Sequence, residues 1–249
     1  MVGKYLYAVI DDAPPPALTG IDGAAVSTIT DGPVAAVVSD CSCGRLRPER
    51  RKLVAHFDVL KSLMKDRAIL PMAFGLVAED DEQVRGILAH NRDTFAAQLR
   101  RFQGKLEMGL RLLWDVPNIF EFFVATQPEL KALRDEVFAR GRPSQDQLMD
   151  LGRFFETTLD EVRMVNRVTL TQAIAPYASE IKELKPKAEK EIVNLAVLVD
   201  AGLREQFEAA VADAADRFSQ EVVFELTGPF PPHNFVELRL NFGDPDDTE

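Results

Sequence analysis

Cysteine is nearly missing from this chain. Only Cys41 and Cys43 occur, one residue apart, too close to staple a fold and in keeping with a reducing compartment, so a cytoplasmic protein is expected. Zinc needs about four ligands, and no second Cys pair stands elsewhere to complete a Cys41-x-Cys43 half-site; a surface loop with incidental thiols is the simpler expectation. Histidine is scarce as well, and His56, His90 and His233 lie far apart in sequence. Also absent are Gly-x-Gly-x-x-Gly, the phosphate-cradling Gly-x-x-x-x-Gly-Lys-Ser/Thr loop, His-Glu-x-x-His and the Gly-x-Ser-x-Gly elbow. No catalytic residue, cofactor or metal ligand is therefore assigned. Positive charge is in deficit: 29 Lys and Arg against 40 Asp and Glu give a net −11, which argues against nucleic acid as a partner. No apolar run approaches the eighteen or so residues of a membrane span, and the N-terminus shows no apolar region followed by a cleavage site, so no membrane partner is expected.

What is present is an ordinary globular composition, 46% hydrophobic and 28% charged over 249 residues, enough for one large domain or two modest ones. The organising stretch is residues 68–77, Ala-Ile-Leu-Pro-Met-Ala-Phe-Gly-Leu-Val. It is apolar almost without a break, which predicts a central strand buried on both faces, with Pro71 near an end or edge and Gly75 at a bulge or close approach. Before it, residues 4–10 read as a first strand, and residues 25–30 and 34–39 as a hairpin across Asp31-Gly32-Pro33. Leu53, Phe57, Leu60 and Met64 share one face of a helix that starts near Pro48. After the stretch, Asp80 and Gln83 have capping spacing at the head of a helix carrying Val84, Leu88, Phe95, Leu99 and Phe102. Residues 105–114 read as a further strand. This order predicts a ferredoxin-like α+β domain over residues 1–116, its helices on one face of a mainly antiparallel sheet.

Residues 117–242 form the expected second domain, an α+β unit with an extended helical arm. Ser144 and Gln147 look like a capping box. Leu148, Leu151, Phe155, Leu159, Val162 and Val165 then form one stripe, continued by Leu170, Ile174, Tyr177, Ile181 and Leu184. A helix reaching Lys185 is predicted, with a kink or split at Pro176. Residues 192–199 and 222–226 read as strands around a helix marked by Leu203, Phe207, Val211, Ala214 and Phe218, and Val236-Leu238-Leu240 adds a short alternation. Residues 243–249 are acidic and are expected to be a disordered tail. The basic run Arg45, Arg47, Arg50, Arg51 and Lys52 reads first as a solvated helix start, second as a dock for an acidic partner.

Taken together, four segments resemble the gas vesicle accessory proteins of the F and L type: Lys-Tyr-Leu-Tyr-Ala-Val-Ile at 4–10; His56 followed by Ile-Leu-Pro-Met-Ala-Phe-Gly-Leu-Val at 69–77; Gly-Lys-Leu-Glu-Met-Gly-Leu-Arg at 104–111; and Thr-Gly-Pro-Phe-Pro-Pro-His-Asn-Phe-Val at 227–236. The resemblance implies a modified ferredoxin-like N-terminal domain and a C-terminal domain with a long helical hairpin or coiled coil. It also implies a non-enzymatic role in gas vesicle formation, through contact with the small hydrophobic shell subunit and other accessory proteins. Physical reasoning fits such a role, because strand-rich apolar subunits aggregate unless their edges and faces are covered. The candidate partner-binding residues are Phe230 and Phe235 in the last motif and Leu151 and Val162 on the long helix. Phe230 and Phe235 also read as core anchors of a Gly/Pro turn. Two further readings stand beside this one: a small-ligand-binding protein or enzyme of the ferredoxin-like class, and a scaffold module that dimerises through the helical stripe.

Overall fold

A computed structural model describes residues 2–12, 17–42, 46–139 and 141–238. These residues form two antiparallel sheets with associated helices. The chain divides into two compact units, Met1–Glu107 with Asp200–Gly202 and Pro229–Glu249, and Met108–Val199 with Leu203–Gly228.

The first sheet is built on β1 (Gly3–Asp11), with a hairpin of β2 (Val26–Asp31) and β3 (Val34–Cys41) on one side. The hairpin turn lies at Gly32-Pro33, where Gly32 takes φ +61°, a conformation that suits glycine. Arg92 closes over this turn, its guanidinium on the Asp31 carboxylate at 2.5 and 3.0 Å. Helix α1 (Arg50–Leu63) packs Val59, Leu60 and Leu63 with Tyr5, Tyr7, Ala35 and Val37. Strands β4 (Leu70–Pro71) and β5 (Val77–Ala78) both pair with β1, and α2 (Asp81–Phe102) packs on β1, β2 and β3. The strand order is β2-β3-β1-β4, with β5 also on β1. Because α1 occupies the Tyr5 and Tyr7 face, α2 takes the opposite one. That is why β1 is buried residue after residue from Tyr5 to Ile10, and it corrects the expectation of helices on one face only.

The 68–77 stretch is likewise corrected. It is not a central strand but an edge, broken into two short pieces. Pro71 lacks the N–H that a longer ladder would need, and Gly75 at φ +95° turns the chain outward before β5 resumes. Its apolar character comes from packing under the edge: Ile69, Leu70, Pro71 and Met72 are buried, whereas Ala73 is exposed.

The second sheet has the order β7-β8-β6-β9. Its strand β6 (Lys105–Trp114) was expected to close the first sheet. It pairs instead with β8 and β9, its Trp114 N–H bonded to the Lys190 carbonyl and Asp115 N–H to that of Glu221. Two helices follow, α3 (Ile119–Thr126) and α4 (Pro128–Ala139), and then α5 (Gln145–Ile174). The Ser144–Gln147 capping box forms in both directions, at 3.3 and 2.9 Å. Thirty residues give α5 roughly 45 Å at 1.5 Å per residue. It stops where Pro176 enters a 3-10 turn, Ala175–Tyr177, and the chain becomes the strand β7 (Glu180–Glu183). Ile181 and Leu184, expected on the helix, thus belong to a sheet edge and the loop beyond it: the three-four spacing continued by coincidence across the proline. Strand β8 (Glu191–Asp200), helix α6 (Arg204–Ala215) and strand β9 (Val222–Phe230) complete the unit. Residues 236–238 are not a strand; Leu240 and the acidic 243–249 segment lie outside the described residues.

Within the second unit, Trp114, Phe120, Phe123 and Phe155 form an edge-to-face chain with centroid spacings of 5.2 to 5.7 Å, an arrangement that adds directional preference to area burial. Through Phe155 it fixes the N-terminal half of α5 to α3 and β6.

Candidate functional site

In the first unit the separated motifs meet. Tyr5 and Tyr7 point to the α1 face because they stand two apart on β1, and there they surround His56, which is 1% exposed. Gly75 N–H donates to Tyr5 Oη at 3.2 Å, which leaves the phenol proton free to be donated to His56 Nδ1 at 2.9 Å. The imidazole proton then sits on Nε2, and the ring makes a second hydrogen bond with the Met72 backbone. The irregular edge 72–76 is therefore held by the side chains of β1 and α1. Burial is the main reason that the His56 pKa falls to about 4; the nearby His233 adds to the fall and the Met72 bond opposes it. Burial likewise pushes Tyr5 up to about 12, against the pull of the Gly75 N–H. His56 is accordingly a neutral structural group, not a proton shuttle at physiological pH.

Beside this network, Tyr7 Oη bonds Ser39 Oγ at 2.9 Å and accepts Ile21 N–H at 2.8 Å. A Cβ on Gly20 would lie 2.1 Å from that hydroxyl. Gly20→Ala is expected to push Tyr7 off both partners and to destabilise the protein by about 1–3 kcal/mol; a urea midpoint equal to that of the unsubstituted protein would refute the close approach.

The Pro-Pro-His-Asn-Phe turn is tied into the same unit by a buried carboxylate. Glu107, 4% exposed, accepts the Asn234 backbone N–H at 2.9 Å with one oxygen and the Asn234 side-chain amide with the other. His233 lies 6.0 Å from Phe57, and the partial desolvation of its ring lowers its pKa. Phe235 is 1% exposed and Phe230 43%. In the second unit, Glu191 is fully buried. Burial alone would raise its pKa, but the Lys187 N–H and the Arg111 guanidinium, at 2.6 Å, hold it below the ordinary range. Arg111 also reaches Glu225 at 2.9 Å.

Of the four candidate contact residues, Leu151 and Phe235 are buried, Val162 is half-buried and Phe230 is exposed. Leu151 and Val162 belong to the second unit, Phe230 and Phe235 to the first. Arg51 and Lys52 of the basic run are engaged by Asp22, at 3.1 and 3.6 Å; Arg45 lies outside the described residues. Cys41 is buried, Cys43 lies outside the described residues, and no cluster of three metal-ligating side chains occurs among the described ones. No helix is long and apolar enough to cross a membrane. Residue types alone did not reveal the Tyr5–His56–Gly75, Glu107–Asn234 and Arg111–Glu191 pairings, although each partner except Glu191 lies within one of the four motifs.

Among the described residues, most of the large apolar side chains left at the surface stand on helices: Val54 and Phe57 on α1, Phe138 on α4, and Leu148, Met149, Met164, Val165 and Val168 on α5. The fold and these faces define a two-unit α+β protein whose buried polar groups serve architecture and whose helical unit presents apolar surface. The family described as gas vesicle synthesis protein GvpL/GvpF matches residues 3–237, and the chain belongs to that family. It is 29% identical to gas vesicle protein F of Streptomyces sp. (strain CB03234), over 85% of this chain and 88% of that one. It is also 29% identical to gas vesicle protein L2 of Halobacterium salinarum, over 94% and 91%. The crystal structure of GvpF from Anabaena sp. PCC7120 has the same fold, with a TM-score of 0.85, 22% identity, and coverage of 96% of this chain and 100% of that one.

Proposed function

We propose that this protein is a non-enzymatic, cytoplasmic assembly factor for gas vesicles. In this reading it binds the small hydrophobic shell subunit during nucleation, limits its aggregation, works beside other accessory proteins and remains associated with the vesicle. The observation that supports it most is the exposed apolar cluster Met164, Val165 and Val168 on one face of α5 in a member of a gas vesicle synthesis family. A helix face of this kind can cover an apolar partner that would otherwise self-associate. Leu151 then seats α5 from beneath, Val162 lies at the margin of the contact, and Phe235 anchors the turn that presents Phe230.

The first unit reads as a modified ferredoxin-like sandwich, supported by its β2-β3-β1-β4 order; helices on both faces are the modification. The packing of α4 on α5 supports a helical hairpin as the arm. Changing Met164, Val165 and Val168 together to Ser is expected to weaken shell-subunit binding at least about tenfold, near 1.4 kcal/mol, in a protein that unfolds as before. Pull-down titration checks this. Cells lacking the chain are expected to make few or misshapen vesicles; complete, properly shaped ones would sink the reading.

A further inference from the structure

A groove of about 800 Å³ opens on the first unit at the end of the sheet, beside Asp11 and Pro33 and between the C-terminal ends of α1 and α2. In a chain of net charge −11 its charged lining is inverted: Lys61, Lys65, Arg67, Arg100 and Lys105 against Asp11 and Asp66 alone. Arg67 is engaged by Asp11 at 3.7 Å and Lys105 by Asp200 at 3.5 Å. Lys61, Lys65 and Arg100 are exposed and form no ion pair or side-chain hydrogen bond among the described residues. Cations at helix C-termini complement the helix dipole, which accounts for basic residues at either end taken separately but not for their convergence on one groove. The floor is apolar, with Met64, Leu99 and Leu106.

We propose that this groove docks an acidic, amphipathic peptide segment of a partner protein, its carboxylates meeting Lys61, Lys65 and Arg100 and an aliphatic side chain resting on Leu99 and Met64. Charge complementarity selects that occupant. A compact phosphate group favours helix N-termini and clustered backbone N–H donors; here two helices present their C-termini, with Lys61 and Lys65 from the end of α1 and Arg100 from the end of α2, a layout that suits carboxylates spread along a chain. The groove belongs to the first unit and the exposed α5 side chains to the second, and its occupant need not be the shell subunit, so the site stands or falls independently of the assembly reading.

The test uses the full chain and a fluorescein-labelled peptide of Leu and Glu at helical spacing, followed by anisotropy. Binding is expected, weakening several-fold from about 50 to about 300 mM salt, and at least about tenfold in the Lys61→Gln, Lys65→Gln, Arg100→Gln variant. The same peptide with Lys in place of Glu is expected not to bind, a comparison that needs no variant, and inorganic phosphate is expected not to displace the acidic one. No binding of the acidic peptide, equal binding by the triple variant, or equal binding of the Lys peptide would overturn the proposal. Displacement by inorganic phosphate at millimolar concentration would overturn it in favour of a phosphate site.

Discussion

Replacing Phe235 with Ala is expected to destabilise the protein by about 3–5 kcal/mol, the range for deleting a buried Phe, whereas Phe230→Ala is expected to change stability by less than about 1 kcal/mol. The two residues lie five apart in one motif, yet Phe235 is 1% exposed and Phe230 43%. The cost at Phe235 falls toward the upper end of that range, because the turn carrying it also positions Asn234 on the buried Glu107 carboxylate. Losing the anchor exposes that carboxylate's partners to rearrangement. Equilibrium denaturation of both variants measures the difference. If the two proved equally destabilising, Phe230 would be an anchor too and its exposed face would have no separate use.

Acidification is the second large effect. The folded-state pKa of His56 is about 4, below the ordinary 6.5, so between these values the unfolded chain binds the proton more readily than the folded one. Stability from keeping the ring neutral is fully present above about pH 6.5, declines as pH falls, and is exhausted below about pH 4, a loss of about 3 kcal/mol. Glu191 and His233, both with lowered pKa values, contribute their own pH dependence, so the diagnostic quantity is the difference between the unsubstituted protein and His56→Asn. The variant is expected to be less stable at neutral pH yet flatter between pH 6.5 and 4. Parallel curves would mean that His56 titrates normally in the folded state and that its ring is not sealed.

Much of the secondary structure of both units was legible where the periods are clean and the punctuation specific. Asp80 caps α2 through Gln83 N–H at 2.8 Å, and Ser144 opens α5, both as capping spacing predicts. Sheet membership was not legible. An apolar decapeptide and a buried central strand look alike in composition, and only the β1 pairings show that 68–77 is a broken edge. The same limit moved Lys105–Trp114 between sheets, since alternation shows that a strand is half-buried without naming its neighbour. At Pro176 the apolar stripe outlasted the helix by coincidence of spacing: Ile181 and Leu184 are half-buried in the edge strand β7 and the loop beyond it. The His56 network was hidden for a different reason. Its partners come from positions 5, 72 and 75, and nothing local in the sequence marks a histidine whose hydrogen bonds close only after β1, α1 and the broken edge have packed.

The most direct test of the assembly reading is co-expression of this chain with the gas vesicle shell subunit, with the soluble fraction examined by pull-down. A soluble complex is predicted with the unsubstituted protein, and its loss with the Met164, Val165 and Val168 replacements on α5. A shell subunit that aggregates equally with and without this chain, with no complex recovered, would contradict the account.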